Sequence, residues 1–479
     1  MVGAKRKNYK CYLNKVFMKE VKLGLLGVFI FLSASLLAQS KVENLFNSKD
    51  LKGWVQYNGK AKYTVENGEI VGRTVPNEPN SFLSTEKLYG DFILELDLKV
   101  DEHMNSGIQF RSEINDANDK CTVTDKHTPN RVHGYQMEVD PSPRAWSGGI
   151  YDEARREWLY PLEYNTSAKS AFKNNVWNHY KIEAIGNSIR TWVNGVECAH
   201  IIDNMTLKGF ISLQVHEIGN PKDAGQEVRW KNIKIQTTNL KPAAPSSLFV
   251  VNLIPNTISE DEQRNGVRLL WDGLSSKGWR GAYKNYFPEN VWYVKDGTLN
   301  VKGSNGKEAA NGGDIVTVDE FHAFDLQFEF QMSDTANSGV KYFVTEKENN
   351  TGSAIGLEYQ ILDDDKHPDA LLGSIGNRTN ASLYDMIPAL RIGAGRREKI
   401  PIGAWNRGRI IVFPDGKIEH WINGWKVVEY QRGTQYFYAL VAKSKYVVWP
   451  NFGMAEKGHI LLQEHGYHVA FRSIKIKEL

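Results

Sequence analysis

Phe92, Leu94, Leu96 and Leu98 alternate with Ile93, Glu95, Asp97 and Lys99. This is the period of two of a half-buried strand, whose successive side chains leave opposite faces. Tyr180–Ile185 and Ile189–Val193 flank Gly186-Asn187-Ser188, which predicts a hairpin. Asn194-Gly195 and Asn423-Gly424 predict tight turns, because both residue types tolerate positive φ. Glu66-Asn67-Gly68 and Lys295-Asp296-Gly297 repeat that signal early in each half. Helical periodicity is scarce: Ser259 and Glu262 form a possible capping box that predicts one short helix. Short strands joined by Gly-rich turns predict an all-β chain of jelly-roll β-sandwiches.

The pattern is written twice. Gly53-Trp54 returns as Gly278-Trp279, Asn105-Ser106-Gly107 as Asn337-Ser338-Gly339, and Trp177-Asn178 as Trp405-Asn406. Trp192-Val193-Asn194-Gly195 returns as Trp421-Ile422-Asn423-Gly424, and Leu213-Gln214-Val215-His216 as Leu462-Gln463-Glu464-His465. The order is kept and the offset stays between 225 and 249 residues, which predicts a tandem duplication. The expected domains are 41–238 and 263–479, joined by a linker and short helix over 239–262, with the boundary inside Asn239–Ser247. Leu248–Ile254 is too apolar for a free tether and is expected to pack on one domain or between the two.

Composition is that of a globular protein: 479 residues, 41% hydrophobic and 24% charged. The formal charge of +3 is concentrated at the start, where residues 1–38 hold seven Lys/Arg and one Glu. The remainder is slightly acidic, with no electrostatic footprint for nucleic acid. Lys19 and Lys22, an apolar run from Leu23 to Leu37 and a small-residue exit at Ala38 predict a secretory signal peptide cleaved after Ala38. Met18 stands where such a leader would begin, which makes 1–17 a candidate over-extension. The chain is therefore expected to be exported, to the periplasm or cell surface of a bacterium, with no membrane insertion after cleavage. Two cysteines then remain, Cys121 and Cys198; they either pair with each other or stand apart as small core residues.

Taken in order, Leu45-Phe46-Asn47, Leu51–Trp54, Tyr89–Phe92, Asn105–Arg111, Gly134–Asp140, Gly148–Glu153, Val193–Gly195 and Val228–Ile233 resemble the 3-keto-disaccharide hydrolase family. The second half carries Leu270–Gly273, Asn337–Gly339, Gly356–Asp363, Trp405-Asn406, Ile422–Gly424 and Leu462–Gly466. The resemblance implies a concanavalin-like jelly roll in each half and an oxidised (3-keto) glycoside or disaccharide as partner. It implies an enzyme, either a hydrolase or a lyase/hydratase. A ketone at sugar carbon 3 acidifies the hydrogen on carbon 2, so such a site needs a base, ligands for an enolate oxygen and an acid for the departing group.

Gln136, Glu138 and Asp140 alternate along one strand and are expected to share a face that forms a concave, wet groove. Glu138 or His216 is the expected base, with Arg111 and Gln136 holding the enolate and hydroxyls. Gln109, Asp140, Tyr151, Asp152 and Gln214 are further substrate ligands, and Trp146 and Trp158 are expected to meet a sugar ring. In the second half Glu358 and His465 are the catalytic candidates, with Gln360, Asp363 and Gln463 as ligands. Carboxylate and amide have exchanged places there relative to Gln136 and Glu138, and Tyr342-Phe343 stands where an arginine is expected. No cofactor is predicted. His127, His133 and Asp140 leave a divalent metal open, without a recognisable ligand spacing. The oligomeric state is not legible. Two other readings compete: a non-catalytic pair of lectin-like binding modules, and an ordinary glycosidase using paired carboxylates on intact sugars. Polar residues at i, i+2 and i+4 can equally be the solvated face of an antiparallel strand.

Overall fold

The computed structural model describes residues 42–114, 130–307, 313–347, 354–390 and 401–479. The predicted leader, Cys121 and His127 lie outside the described residues. Four sheets form two sandwiches. In the first, a nine-stranded sheet runs Val251–Asn252, Val196–Ile202, Ser188–Val193, Asn178–Ile185, Phe92–Val100, Glu227–Gln236, Glu69–Arg73 and Lys62–Glu66, with Val42–Asn44 beside Glu227–Gln236. It faces a seven-stranded sheet ordered Glu157–Tyr160, Ile150–Glu153, Val132–Val139, Ser106–Ile114, Phe210–Val215, Ser81–Thr85 and Trp54–Asn58. Pairing is antiparallel except that Val251–Asn252 joins Val196–Ile202 in parallel.

The predicted alternation is realised in Phe92–Val100, whose leucines and Phe92 enter the core while the intervening residues are half-buried. The hairpin closes with Ile185 opposite Ser188, and Asn194-Gly195 turns with φ of 51° and 81°. Cys198 is buried in this core, its thiol pushed up to about 12 by burial.

The second sandwich repeats the plan. Its larger sheet runs Trp292–Lys295, Thr298–Val301, Val469–Glu478, Phe324–Met332, Trp405–Val412, Lys417–Ile422 and Trp425–Gln431, with Arg268–Leu269 at the side of Val469–Glu478. Its smaller sheet is Trp279–Gly281, Ile315–Thr317, His459–Leu462, Asn337–Thr345 and Ile355–Leu362. The spacing between landmarks widens by 20 residues between Trp192/Trp421 and Leu213/Leu462. That insertion contains a helix the strand pattern did not signal, Gln435–Lys443, started by Thr434, whose hydroxyl accepts the Phe437 N–H at 3.2 Å. The predicted short helix is Glu260–Arg264, with its capping box formed. Its Glu262 makes a buried ion pair with Lys475 at 2.7 Å. Among the described residues no helix is long and apolar enough to cross a membrane.

The apolar segment after the linker packs between the copies. Phe249 lies 4.7 Å from the Tyr164 ring of the first sandwich and 3.9 Å from the Arg409 guanidinium of the second. The Asn423-Gly424 turn presses on the first sandwich: a Cβ on Gly424 would stand 2.6 Å from Pro161. Gly195, at the matching turn of the first copy, has open space around it. Both have positive φ, so alanine strains either backbone by about 1 kcal/mol. Gly424→Ala is therefore expected to lower the melting temperature more than Gly195→Ala, and equal losses would show that Pro161 yields to the added methyl at no cost.

Candidate functional site

On Val132–Val139, Tyr135, Met137 and Val139 enter the core, so Gly134, Gln136 and Glu138 take the opposite face. On Ser106–Ile114, Ile108 and Phe110 enter the core and Gln109 joins Gln136, its cross-strand partner. Gly107 sits opposite Glu138, and a Cβ there would overlap the Gln136 side chain. The glycine of the Asn-Ser-Gly motif thus makes room for an amide to lie against the carboxylate. Tyr151 and Glu153 face the same way from the adjoining strand, opposite Gln136 and Gly134.

The polar groups are wired together. Gln109 Nε2 donates to Gln136 Oε1 at 2.6 Å, and Gln136 Nε2 donates to Glu138 Oε2 at 3.0 Å. Asn105 Nδ2 donates to Glu138 Oε1 at 2.8 Å, and Arg144 Nη2 reaches the same oxygen at 3.4 Å. Asp140 does not line the group directly. Just past the strand end, it accepts from Arg144 Nε at 2.8 Å and from the Trp146 N–H at 3.1 Å, and so sets the loop that carries Arg144. Glu153 pairs with Arg131, and both His216 and the Asn80 amide act on it. His216 lies just past its strand with Nδ1 2.7 Å from the Glu217 carbonyl; donation from that nitrogen leaves Nε2 as the acceptor.

Exposure decides between groove and solvated face. Gln109 is 0% exposed, Gln214 1%, Gln136 3% and Glu138 4%. This is no solvated strand face, and it is drier than the expected wet groove. Burial pushes the Glu138 carboxyl up to about 7, against the pull of Asn105, Arg144 and Gln136. It raises Glu153 for the same reason, and Tyr151 rises too, with Glu153 among the secondary causes. Gln214 Oε1 accepts no hydrogen bond from any described residue.

Beside Asp140, three more expected residues of the first copy are placed elsewhere. Arg111 falls on a β-bulge with φ of 44°, which turns its side chain away from Glu138. Its guanidinium donates to the carbonyls of Gly90 and Gly186 at 2.9 and 2.8 Å and to Asp91 at 3.0 Å, tying the sheets together. Asp152 alternates to the other side of its strand and is consumed by Arg155 and Arg156. Trp146 is 0% exposed, covered by Trp158 at 4.6 Å and Trp425 at 4.8 Å, so it offers no ring face; Trp158 remains half-buried. The cation within reach of Glu138 is Arg144, which the sequence did not single out because it lies in an irregular loop. Among the described residues no three His, Cys, Asp or Glu side chains gather as a metal site.

In the second copy Phe343 takes the place of Arg111 on the same bulge, with φ of 53°. Glu358 leans over Gly339, where a Cβ would stand 2.5 Å from Oε1, so it occupies the position of Gln136. Its cross-strand partner is Lys341, where the first copy has Gln109. Gln360, opposite Gly339, takes the place of Glu138 and donates to Asn337 at 3.4 Å. Gln463 Oε1, like Gln214 Oε1, accepts no hydrogen bond from any described residue. His465 is half-buried, its ring 6.4 Å from that of His367. Asp363 is turned to backbone work, accepting the Thr335 N–H at 2.9 Å.

Pairing of Tyr359 with Leu383, as Met137 pairs with Ile150, makes Tyr384-Asp385 the counterpart of Tyr151-Asp152. That repeat was legible as Ile-Tyr-Asp against Leu-Tyr-Asp. The insertion caps this copy: Tyr446 OH donates to Glu358 Oε2 at 3.3 Å, and the Lys445 amine lies 4.3 Å from the Tyr384 ring.

These features define a tandem β-sandwich protein with one buried carboxylate–amide cluster in each copy. The chain belongs to the family of the 3-keto-alpha-glucoside-1,2-lyase-like domain, whose model matches residues 41–236 and 266–477. A 3-keto-disaccharide hydrolase of Bacteroides thetaiotaomicron is 36% identical over 236 residues, covering 45% of this chain and 79% of that protein. Among solved structures, a provisionally assigned glycosyl hydrolase from Parabacteroides distasonis is 28% identical and covers 47% of this chain and 99% of its own, with a TM-score of 0.40. The carbohydrate-binding module CBM66 from Bacillus subtilis is 18% identical, covering 38% of this chain and 94% of its own, with a TM-score of 0.26.

The Glu138 shift has a thermodynamic sign. Its folded pKa of about 7 lies above the ordinary 4.5, so the folded chain holds a proton that the unfolded chain releases. Stability is therefore lost as pH rises from about 4.5 through about 7, and the ionised group costs up to about 3 kcal/mol above that window. Glu138→Gln is expected to melt higher than the parent at pH 8 and close to it at pH 4.5. A parent-like melting temperature at pH 8 would show that the carboxylate is not strained by burial.

Proposed function

We propose that the protein cleaves 3-keto-glycosides or 3-keto-disaccharides in its first sandwich, with Glu138 as the base. The observation that carries this reading is a buried carboxyl poised near neutrality, hydrogen-bonded to two amides and next to one arginine. A base works best with a pKa near the working pH, and burial has moved this carboxyl there. Glu138 takes the hydrogen on carbon 2, the electron pair passes to the carbon 3 oxygen, and the bond from carbon 1 to the departing oxygen breaks. The leaving oxygen takes a proton, and water then adds across the new double bond, so the net result is hydrolysis. Stopping before the addition of water gives a lyase product.

Arg144 is the cation available to the enolate, the role expected of Arg111, because Arg111 is spent on backbone carbonyls. The vacant acceptor of Gln214 suits a sugar hydroxyl, which would supply the donor that the described residues do not. His216, with Nε2 left as an acceptor, is placed to take a proton from the incoming water, and the Glu153 carboxyl, raised by burial, to give one to the leaving group. The second copy, with Lys341 and Glu358 in place of Gln109 and Gln136, is proposed to bind a sugar with altered chemistry. The basic and apolar start supports action after export, in the periplasm or at the cell surface.

Matched oxidised and unoxidised glycosides test this reading. Turnover of the 3-keto substrate alone is expected, with kcat/KM rising as pH climbs through about 7, since the base must be ionised. Release from the unoxidised glycoside would make it an ordinary glycosidase, and binding without product would make it a lectin. Glu138→Gln is expected to lower the rate by roughly 10²–10⁴-fold, and Glu358→Gln by much less. Equal losses would overturn the assigned asymmetry between copies.

A further inference from the structure

We infer that the second sandwich completes the first copy's site, with Trp425 and Arg407 acting as positioning residues for Glu138 through Trp146 and Arg144. The inference rests on the reading of Glu138 as the reacting group. The contacts run without a gap. The Trp425 ring lies 4.8 Å from Trp146, and the Arg144 guanidinium lies over Trp146 at 4.6 Å and over Trp158 at 4.9 Å. Arg144 then reaches Glu138 at 3.4 Å while Asp140 holds its Nε. Arg407 donates to the carbonyls of Trp158 at 3.1 Å and Leu159 at 3.0 Å, fixing the strand that supports the second of these rings. Arg144 is itself 40% exposed, so without the two indole faces its long side chain has little to hold it over the carboxylate.

The duplication supplies an internal control. Trp425 follows the Asn423-Gly424 turn, and its counterpart after Asn194-Gly195 is Val196, which is 42% exposed. Arg407 follows Trp405-Asn406, and its counterpart after Trp177-Asn178 is His179, which pairs with Asp97 on its own sheet at 2.9 Å. Trp146 has no tryptophan counterpart either: Thr379 stands at its place in the second copy. Each copy therefore departs from the shared pattern at the positions where the two meet beside Glu138. A junction serving only to glue two domains together would not need to end on the side chain that holds Arg144.

The consequence is electrostatic. Charge interactions reach Glu138 from Arg144 and Asp140 in the loop after its strand, from Glu153 and Tyr151 on the neighbouring strand, and through the core from Tyr180 of the opposite sheet. Arg144 is the cation that opposes the effect of burial on this carboxyl. Freeing it lets the carboxyl rise further.

The test is Trp425→Val, which installs the residue the first copy's hairpin already carries, beside Trp425→Phe as the conservative variant. In the full chain, Trp425→Val is expected to move the acidic limb of kcat/KM on a 3-keto-glucoside upward by about half a pH unit or more. The loss should be several-fold at pH 6 and smaller at pH 9, and Trp425→Phe should restore most of it. A uniform loss across pH, or an unmoved limb, would overturn the inference. A second measurement needs no turnover: the pH at which the stabilisation by Glu138→Gln levels off, set by the folded carboxyl, should rise by the same amount when Trp425→Val is also present. If that pH stays where it was, positioning fails whatever the substrate. If it moves while no 3-keto sugar is turned over, positioning stands and the proposed reaction falls.

Discussion

A carboxylate taken out of water on the face of a sheet is tolerated only if the surrounding groups meet its oxygens with donors, and the first copy is arranged around that requirement. Glu138 is met by Asn105, Gln136 and Arg144, and Gln136 is met in turn by Gln109. Each donor depends on a backbone feature some distance away: the Asn-Ser-Gly motif, the missing side chain of Gly107, and the loop that Asp140 folds back. The donors do not fully offset desolvation, and the carboxyl is left close to the point where it gives and takes protons at neutral pH.

The second copy solves the same problem with other groups. The carboxylate has moved one cross-strand position, so that Glu358 lies over the glycine and faces Lys341. A residue absent from the first copy, Tyr446 of the inserted segment, donates to it. One backbone thus carries two distributions of charge, one built mainly of amides and the other with a lysine as the carboxylate's cross-strand partner. Both keep a buried glutamine oxygen with no donor among the described residues, Gln214 and Gln463, at matching strand ends. What the copies share is the vacant acceptor; what separates them is the ionic environment of the acid.

The sandwiches are also not independent of each other. Arg407, Trp421 and Trp425 of the second lie against Trp146, Trp158 and Tyr164 of the first, and Phe249 of the apolar segment packs between Tyr164 and Arg409. The largest rings at this junction stand next to the loop that bears Arg144. The first copy's acid is therefore sensitive to the packing of the second.

The all-β class, the duplication, the Phe92–Val100 strand, the Asn-Gly turns and the capped helix at Glu260–Arg264 were legible in the amino-acid sequence, because each is set by interactions between near neighbours: alternation, positive φ, a side chain capping its own helix. The shared face of Gln136 and Glu138 was legible for the same reason. Arg111 was misread because a bulge, invisible to period-two alternation, reverses the direction of its side chain. Asp152 was misread because only strand pairing shows which side of Ile150–Glu153 meets Glu138. Arg144, the burial of Trp146 and the arrival of Trp425 were decided by tertiary structure alone. Their partners come from a loop with no periodicity or from a domain far along the chain, and no local rule specifies which distant surface will cover them.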